Sequence, residues 1–183
     1  MLRRIRKSRA FTLVELMIVV AIVGLLAALA IYGVRKYMTN SKTTEARNAL
    51  GQVSKGAQGA WDREMMNGST LTPGNSVGSA RRLCPAAAPI PTAVPAGEKY
   101  QSSEGEWDAD AGWQCLRFSM RGPQYYQYEY TAPTTTSFAA IARGDLDGDT
   151  DTSVFQIQGN VVVNGNDSTL TVSPAIIEDK PDE

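Results

Sequence analysis

Four aspartates alternate within one short stretch, Asp145-Leu-Asp147-Gly-Asp149-Thr-Asp151. Carboxylates so close repel one another, and a hard cation such as Ca2+ relieves the repulsion through its oxygen ligands. The spacing follows only the start of an EF-hand loop. Glycine stands at the fourth position rather than the sixth, and Gln156 occupies the twelfth, where the motif needs glutamate. The same residues make an ordinary solvated turn, because aspartate and glycine are common turn formers. Both readings stand on the sequence alone.

Other reactive chemistry is sparse. The 183 residues include no histidine, which removes the commonest general acid–base and the commonest metal ligand. No phosphate-binding glycine loop occurs. An aspartate turn without a base or an oxyanion donor is a poor hydrolase. The chain therefore reads as no enzyme and without a cofactor, the open Ca2+ question aside. Tyr125, Tyr126, Tyr128 and Tyr130 form an aromatic stretch. Exposed, it could stack on single-stranded DNA. The alternative is that Tyr126, Tyr128 and Tyr130 share one sheet face and pack across strands. The acidic body disfavours nucleic acid as a partner.

Cys84 and Cys115 are the only cysteines. An even, small count in an exported domain suggests one disulfide, the alternative being two separate thiols. A bridge would close a loop of about 30 residues and contribute roughly 3–4 kcal/mol by restricting the unfolded chain.

The charge pattern points to a membrane. Arg3, Arg4, Arg6, Lys7 and Arg9 crowd the first ten residues, although the net charge is −1. Leu16 to Val34 follows with no charge at all. As a helix it would be roughly 28 Å long, close to the ~30 Å of a bilayer core. The basic residues should stay cytoplasmic and the C-terminal body should face outward. Two alternatives are weaker. A secretory signal peptide has a shorter apolar region, and a soluble core helix keeps a polar face. Glu15 is the acid at the edge of this segment. Left unsatisfied there, a carboxylate costs on the order of 2–3 kcal/mol. It either reaches headgroup water or pairs with a positive group.

Residues 10–34, AFTLVELMIVVAIVGLLAALAIYGV, resemble the prepilin N-terminus shared by type IV pilins and type II secretion pseudopilins. The resemblance implies cleavage between Ala10 and Phe11 by a prepilin peptidase and N-methylation of Phe11. It makes Glu15 the assembly glutamate, which would neutralise the new amine of a neighbouring subunit. Ala10 replaces the family's usual glycine before the cut. Tyr32 stands where the family often has a helix-softening proline, and Gly24 and Gly33 could supply some of that softness, at about 1 kcal/mol each. Major pseudopilins often carry calcium in the C-terminal region, which favours the cation reading of the aspartates.

The helical period continues beyond the apolar run. Ala46, Ala49, Leu50, Val53, Ala57, Ala60 and Trp61 recur at spacings of three and four, with charged residues between. One helix is expected from about residue 11 to 66, stopped by Asn67-Gly68. Residues 1–10 are then a removed leader, 11–34 the membrane or filament-core half, and 35–66 the amphipathic half. Residues 67–183 form a head. Within it, 67–113 should be loop, with PAAAPIPTAVPAG a polyproline spacer. A β-meander should occupy 114–173, with Gly159 in a turn and an acidic tail frayed over 174–183. The predicted fold class is α+β, the pilin ladle: a long N-terminal helix whose second half packs on a small antiparallel sheet.

The implied function is structural. The chain is expected to polymerise with itself into a type IV pilus-like filament. Its further partners would be the prepilin peptidase, an inner-membrane assembly platform, and membrane lipid before assembly. It would span the inner membrane once with its head in the periplasm, then stand in an extracellular pilus. The alternatives are a type II secretion pseudopilin in a periplasmic pseudopilus and a single-span adhesive or cation-binding domain that never polymerises.

Overall fold

A computed structural model describes residues 11–63, 65–66, 79–165 and 167–181. The expected stop at Asn67-Gly68 and the leader with Ala10 lie outside the described residues. The elements are α1 (Leu13–Asp62), β1 (Met65–Met66), β2 (Ser79–Ala80), β3 (Ala87–Ile90), α2 (Glu104–Asp108), α3 (Ala111–Leu116), β4 (Gln127–Thr134), β5 (Ser137–Gly144), β6 (Ser153–Asn164), β7 (Asp167–Val172) and β8 (Ile177–Asp179). The chain divides between Met38 and Thr39 into two units.

The N-terminal unit is the first part of α1. Residues 11–38 are all exposed, although most are large and apolar. This stretch is long and apolar enough to cross a membrane.

The second unit is the head. Its sheet is antiparallel in the order β3-β4-β5-β6-β7, and β8 joins β6 beside β7. One face covers the rest of α1. The helix contributes Thr43, Ala46, Ala49, Leu50, Val53, Ser54, Ala57, Ala60 and Trp61 to the buried side, which includes every residue of the expected stripe. Opposite them lie Tyr126, Tyr128, Tyr130, Phe138, Ala140, Ala142, Phe155 and Ile157. Small residues on the helix and rings on the sheet fill the layer between, as close packing demands. The fold is the α+β one expected.

Several local expectations change. Residues 111–116 are helical, across the expected boundary between loop and meander at 113 and 114. Asp110 caps α3 by accepting from Gly112 N at 2.7 Å and Trp113 N at 3.3 Å, as an N-cap should. The expected loop 67–113 also holds β3 and α2. Trp107 and Trp113 turn it into core: their rings lie 5.1 Å apart and both pack on Phe118. The supposed polyproline spacer supplies β3, in which Pro89 is tolerable because the strand lies at the sheet's edge. Gly159 sits inside β6 instead of a turn, so SVFQIQG and NVVVNG form one strand. A Cβ there would collide with the Phe138 ring. The acidic tail forms β8, and the Arg47 guanidinium grips the Glu178 carboxylate at 2.7 and 2.9 Å.

Candidate functional site

The candidate assembly site is the start of α1. Thr12 precedes the helix, and its backbone N–H and hydroxyl both donate to Glu15 Oε2, at 2.9 and 2.8 Å. Glu15 N in turn donates to Thr12 Oγ1 at 3.2 Å. This is a reciprocal capping box. The Thr12-Leu-Val-Glu15 spacing carries this signal, hidden beneath the apolar run. The box satisfies the carboxylate within its own chain, and the helix N-terminus favours its negative charge. Among the described residues only Oε2 takes such bonds. Phe11, beside it, is 79% exposed. A carboxylate at the edge of an exposed apolar helix can do one thing well: form an ion pair with an amine in a medium that screens charge poorly.

The aspartates hold a tight loop in the head. Asp145 is buried, and its oxygens accept from Gly148 N at 2.6 Å and Thr150 N at 3.1 Å. Asp147 and Asp149 accept from the backbone N–H two residues ahead, at 3.3 and 2.8 Å. Carboxylate oxygens of Asp145, Asp147 and Asp149 all lie within 4.8 Å of one another. Asp151 leaves the group: its carboxylate pairs with Lys180 at 2.7 Å. Three of the four aspartates could thus hold a Ca2+.

Cys84 and Cys115 form a disulfide. It ties α3 to the segment leading into β3. The tyrosines are distributed by burial. Tyr126, Tyr128 and Tyr130 lie inside, facing the helix, which removes them as a base-stacking surface. Tyr125 is half-buried, with Lys42 and Lys99 at 4.8 and 4.7 Å from its ring centre. Glu45, which no sequence signal marks, accepts from Tyr125 N at 2.9 Å and from the Tyr128 hydroxyl at 3.1 Å. Burial pushes the Glu45 carboxyl above its ordinary range, against these hydrogen bonds and the charge of Lys99.

Comparison with known proteins bears on the first of these sites. Residues 5–31 match the model of the prokaryotic N-terminal methylation motif. The chain is 54% identical over 44 residues to the type IV major pilin protein PilA of Myxococcus xanthus (strain DK1622), covering 24% of this chain and 20% of that protein. It is 40% identical over 63 residues to fimbrial protein Q of Moraxella bovis, covering 34% and 38%. It is 47% identical over 46 residues to the type IV major fimbrial protein FimA of Dichelobacter nodosus, covering 25% and 30%. The chain thus spans well under half the length of these relatives. No solved structure matches it. The N-terminal segment of this chain thus carries the prokaryotic N-terminal methylation motif and is similar to the same segment of type IV pilins and fimbrial proteins.

Proposed function

We propose that this chain is a structural subunit of a type IV pilus-like filament, held in the inner membrane before assembly and extracellular after it. The observation that carries the reading is the apolar stretch of α1. Exposed over residues 11–38, it is unstable in water and stable either in lipid or against copies of itself. The relatives are described as pilins and fimbrial proteins, which supports the second environment as the final one.

Processing gives the transfer a direction. Cleavage by a prepilin peptidase between Ala10 and Phe11 removes the basic leader, which otherwise anchors the N-terminus at the cytoplasmic face. It also creates an amine at Phe11, which is then methylated and stays cationic. Glu15 of one subunit neutralises that amine on the next, through the oxygen that its capping box does not use. Before cleavage that cation does not exist, so assembly waits for it. An assembly platform in the membrane would extract the helix and stack it.

The test is expression alongside a pilus assembly machine, with sheared fibres collected and their subunit sequenced. The reading expects long fibres whose subunit begins at Phe11. A chain that keeps Met1 to Ala10 in its working form, or that leaves the membrane fraction without polymerising, would refute it.

A further inference from the structure

The outer edge of β3 is closed in an unusual way. Among the described residues β3 pairs with β4 alone, through Ala87 with Tyr130 and Ile90 with Tyr128. An open edge of this kind invites strand addition by another chain. Pro89 has no N–H to offer. Ala88 has both a donor and an acceptor, and it is exposed. Both groups are taken by α3. Ala88 N donates to Asp110 Oδ2 at 3.1 Å, and Ala88 O accepts from Trp113 Nε1 at 2.9 Å.

The rest of α3 is built for this contact. Asp110 divides its carboxylate, with Oδ1 capping the helix and Oδ2 reaching β3. Gly112 is where α3 presses closest. A Cβ there would lie 2.6 Å from Ala87 Cβ and 2.8 Å from the carbonyl oxygens of Pro85 and Ala86. Cys115, in the last turn, is bonded to Cys84, just ahead of β3. Helix and edge are therefore joined covalently as well as by hydrogen bonds.

We propose that α3, clamped by the Cys84–Cys115 disulfide, is an edge cap: it occupies the open rung of β3 and keeps the sheet from adding a strand of a second copy of this chain. The need for such a cap follows from the chain's two association surfaces. α1 gathers copies at high local concentration, in lipid or in a polymer. Heads so crowded would pair through β3 if that edge were open. The cap reserves association for the helices. The inference concerns the head alone and stands apart from cleavage at Phe11 and pairing at Glu15.

The test uses the full chain in detergent micelles. Asp110→Asn keeps one acceptor oxygen where two are needed, and Trp113→Phe keeps an aromatic ring, smaller than indole, but loses the N–H. In the double variant, the Ala88 amide should exchange with deuterium about tenfold faster or more. Sedimentation should then show association that rises with protein concentration, and reduction of the wild-type disulfide should produce the same association. If the double variant does not fold, Asp110→Asn alone, which removes the acceptor of the Ala88 amide, gives the same two readings. Variants and reduced protein that remain as dispersed as the oxidised wild type, despite a faster Ala88 amide, would overturn the cap.

Discussion

Glu45 of α1 accepts the hydroxyl of Tyr128 of β4 at 3.1 Å, and through it the helix is keyed to the sheet by a half-buried carboxylate. The bond predicts a pH dependence. Burial raises the folded-state pKa of Glu45 above the unfolded one, so the carboxyl gives up its proton less readily in the folded chain. Stability from this group is full below the unfolded pKa and declines as pH rises through the folded value. Glu45→Gln keeps the acceptor oxygen and cannot ionise. Urea midpoints for the two chains should therefore diverge as pH rises above about 4.3, the unfolded glutamate value, the wild type losing ground to the variant. Parallel curves would show that Glu45 does not titrate in this range.

Arg47 and Glu178 predict the opposite sign. The guanidinium's hydrogen bonds hold the Glu178 carboxyl below its ordinary range. Their contribution is present above the unfolded pKa and is lost as pH falls through the folded one. The pair is partly exposed, with side chains 39% and 29% accessible, so Glu178→Gln should cost only about 0.5–1 kcal/mol at pH 7. It should cost nothing measurable near pH 2. Urea denaturation at the two pH values reads the difference.

The Tyr130 hydroxyl is buried without a hydrogen-bond partner among the described residues, while its ring stacks on Phe138 at 5.3 Å. An unmade bond costs about 1–3 kcal/mol. Tyr130→Phe should therefore leave the fold unchanged or stabilise it by about 1 kcal/mol. A clear loss in the thermal midpoint would mean that the hydroxyl has a partner.

The aspartate loop makes its own prediction. Mutual repulsion of Asp145, Asp147 and Asp149 should be relieved by a hard cation, so millimolar Ca2+ should raise the melting midpoint. Asp147→Asn should abolish the rise, and Asp151→Asn should not, because Asp151 belongs to Lys180. An indifferent midpoint in the wild type would leave the loop as a turn held by the backbone bonds of Asp145.

What the sequence disclosed followed from periodicity. The stripe from Ala46 to Trp61 could be read because a helix must repeat its buried residues every three or four positions. β5 could be read because Phe138, Ala140 and Ala142 alternate with half-exposed neighbours. What it withheld was decided by contacts distant in the chain. Gly159 resembles a turn residue until the Phe138 ring occupies the space a side chain would need. Ala87 to Ile90 resembles a spacer until β4 and α3 supply its partners. The tail resembles a free end until Arg47 reaches Glu178. Two signals were present and unread: Thr12 three residues before Glu15, and Asp110 before a run containing Trp113. Each is a local capping pattern hidden by a louder neighbour.

The central claim is that the helix of one copy ends against the helix of another through Glu15 and the amine of Phe11. Glu15→Ala, expressed with a pilus assembly machine, is the direct measurement, with membrane insertion and N-terminal processing checked in parallel. The account predicts a subunit that inserts, is cut to begin at Phe11, and yields at least tenfold fewer sheared fibres than the wild type. Fibres of Glu15→Ala in normal number and length would contradict it.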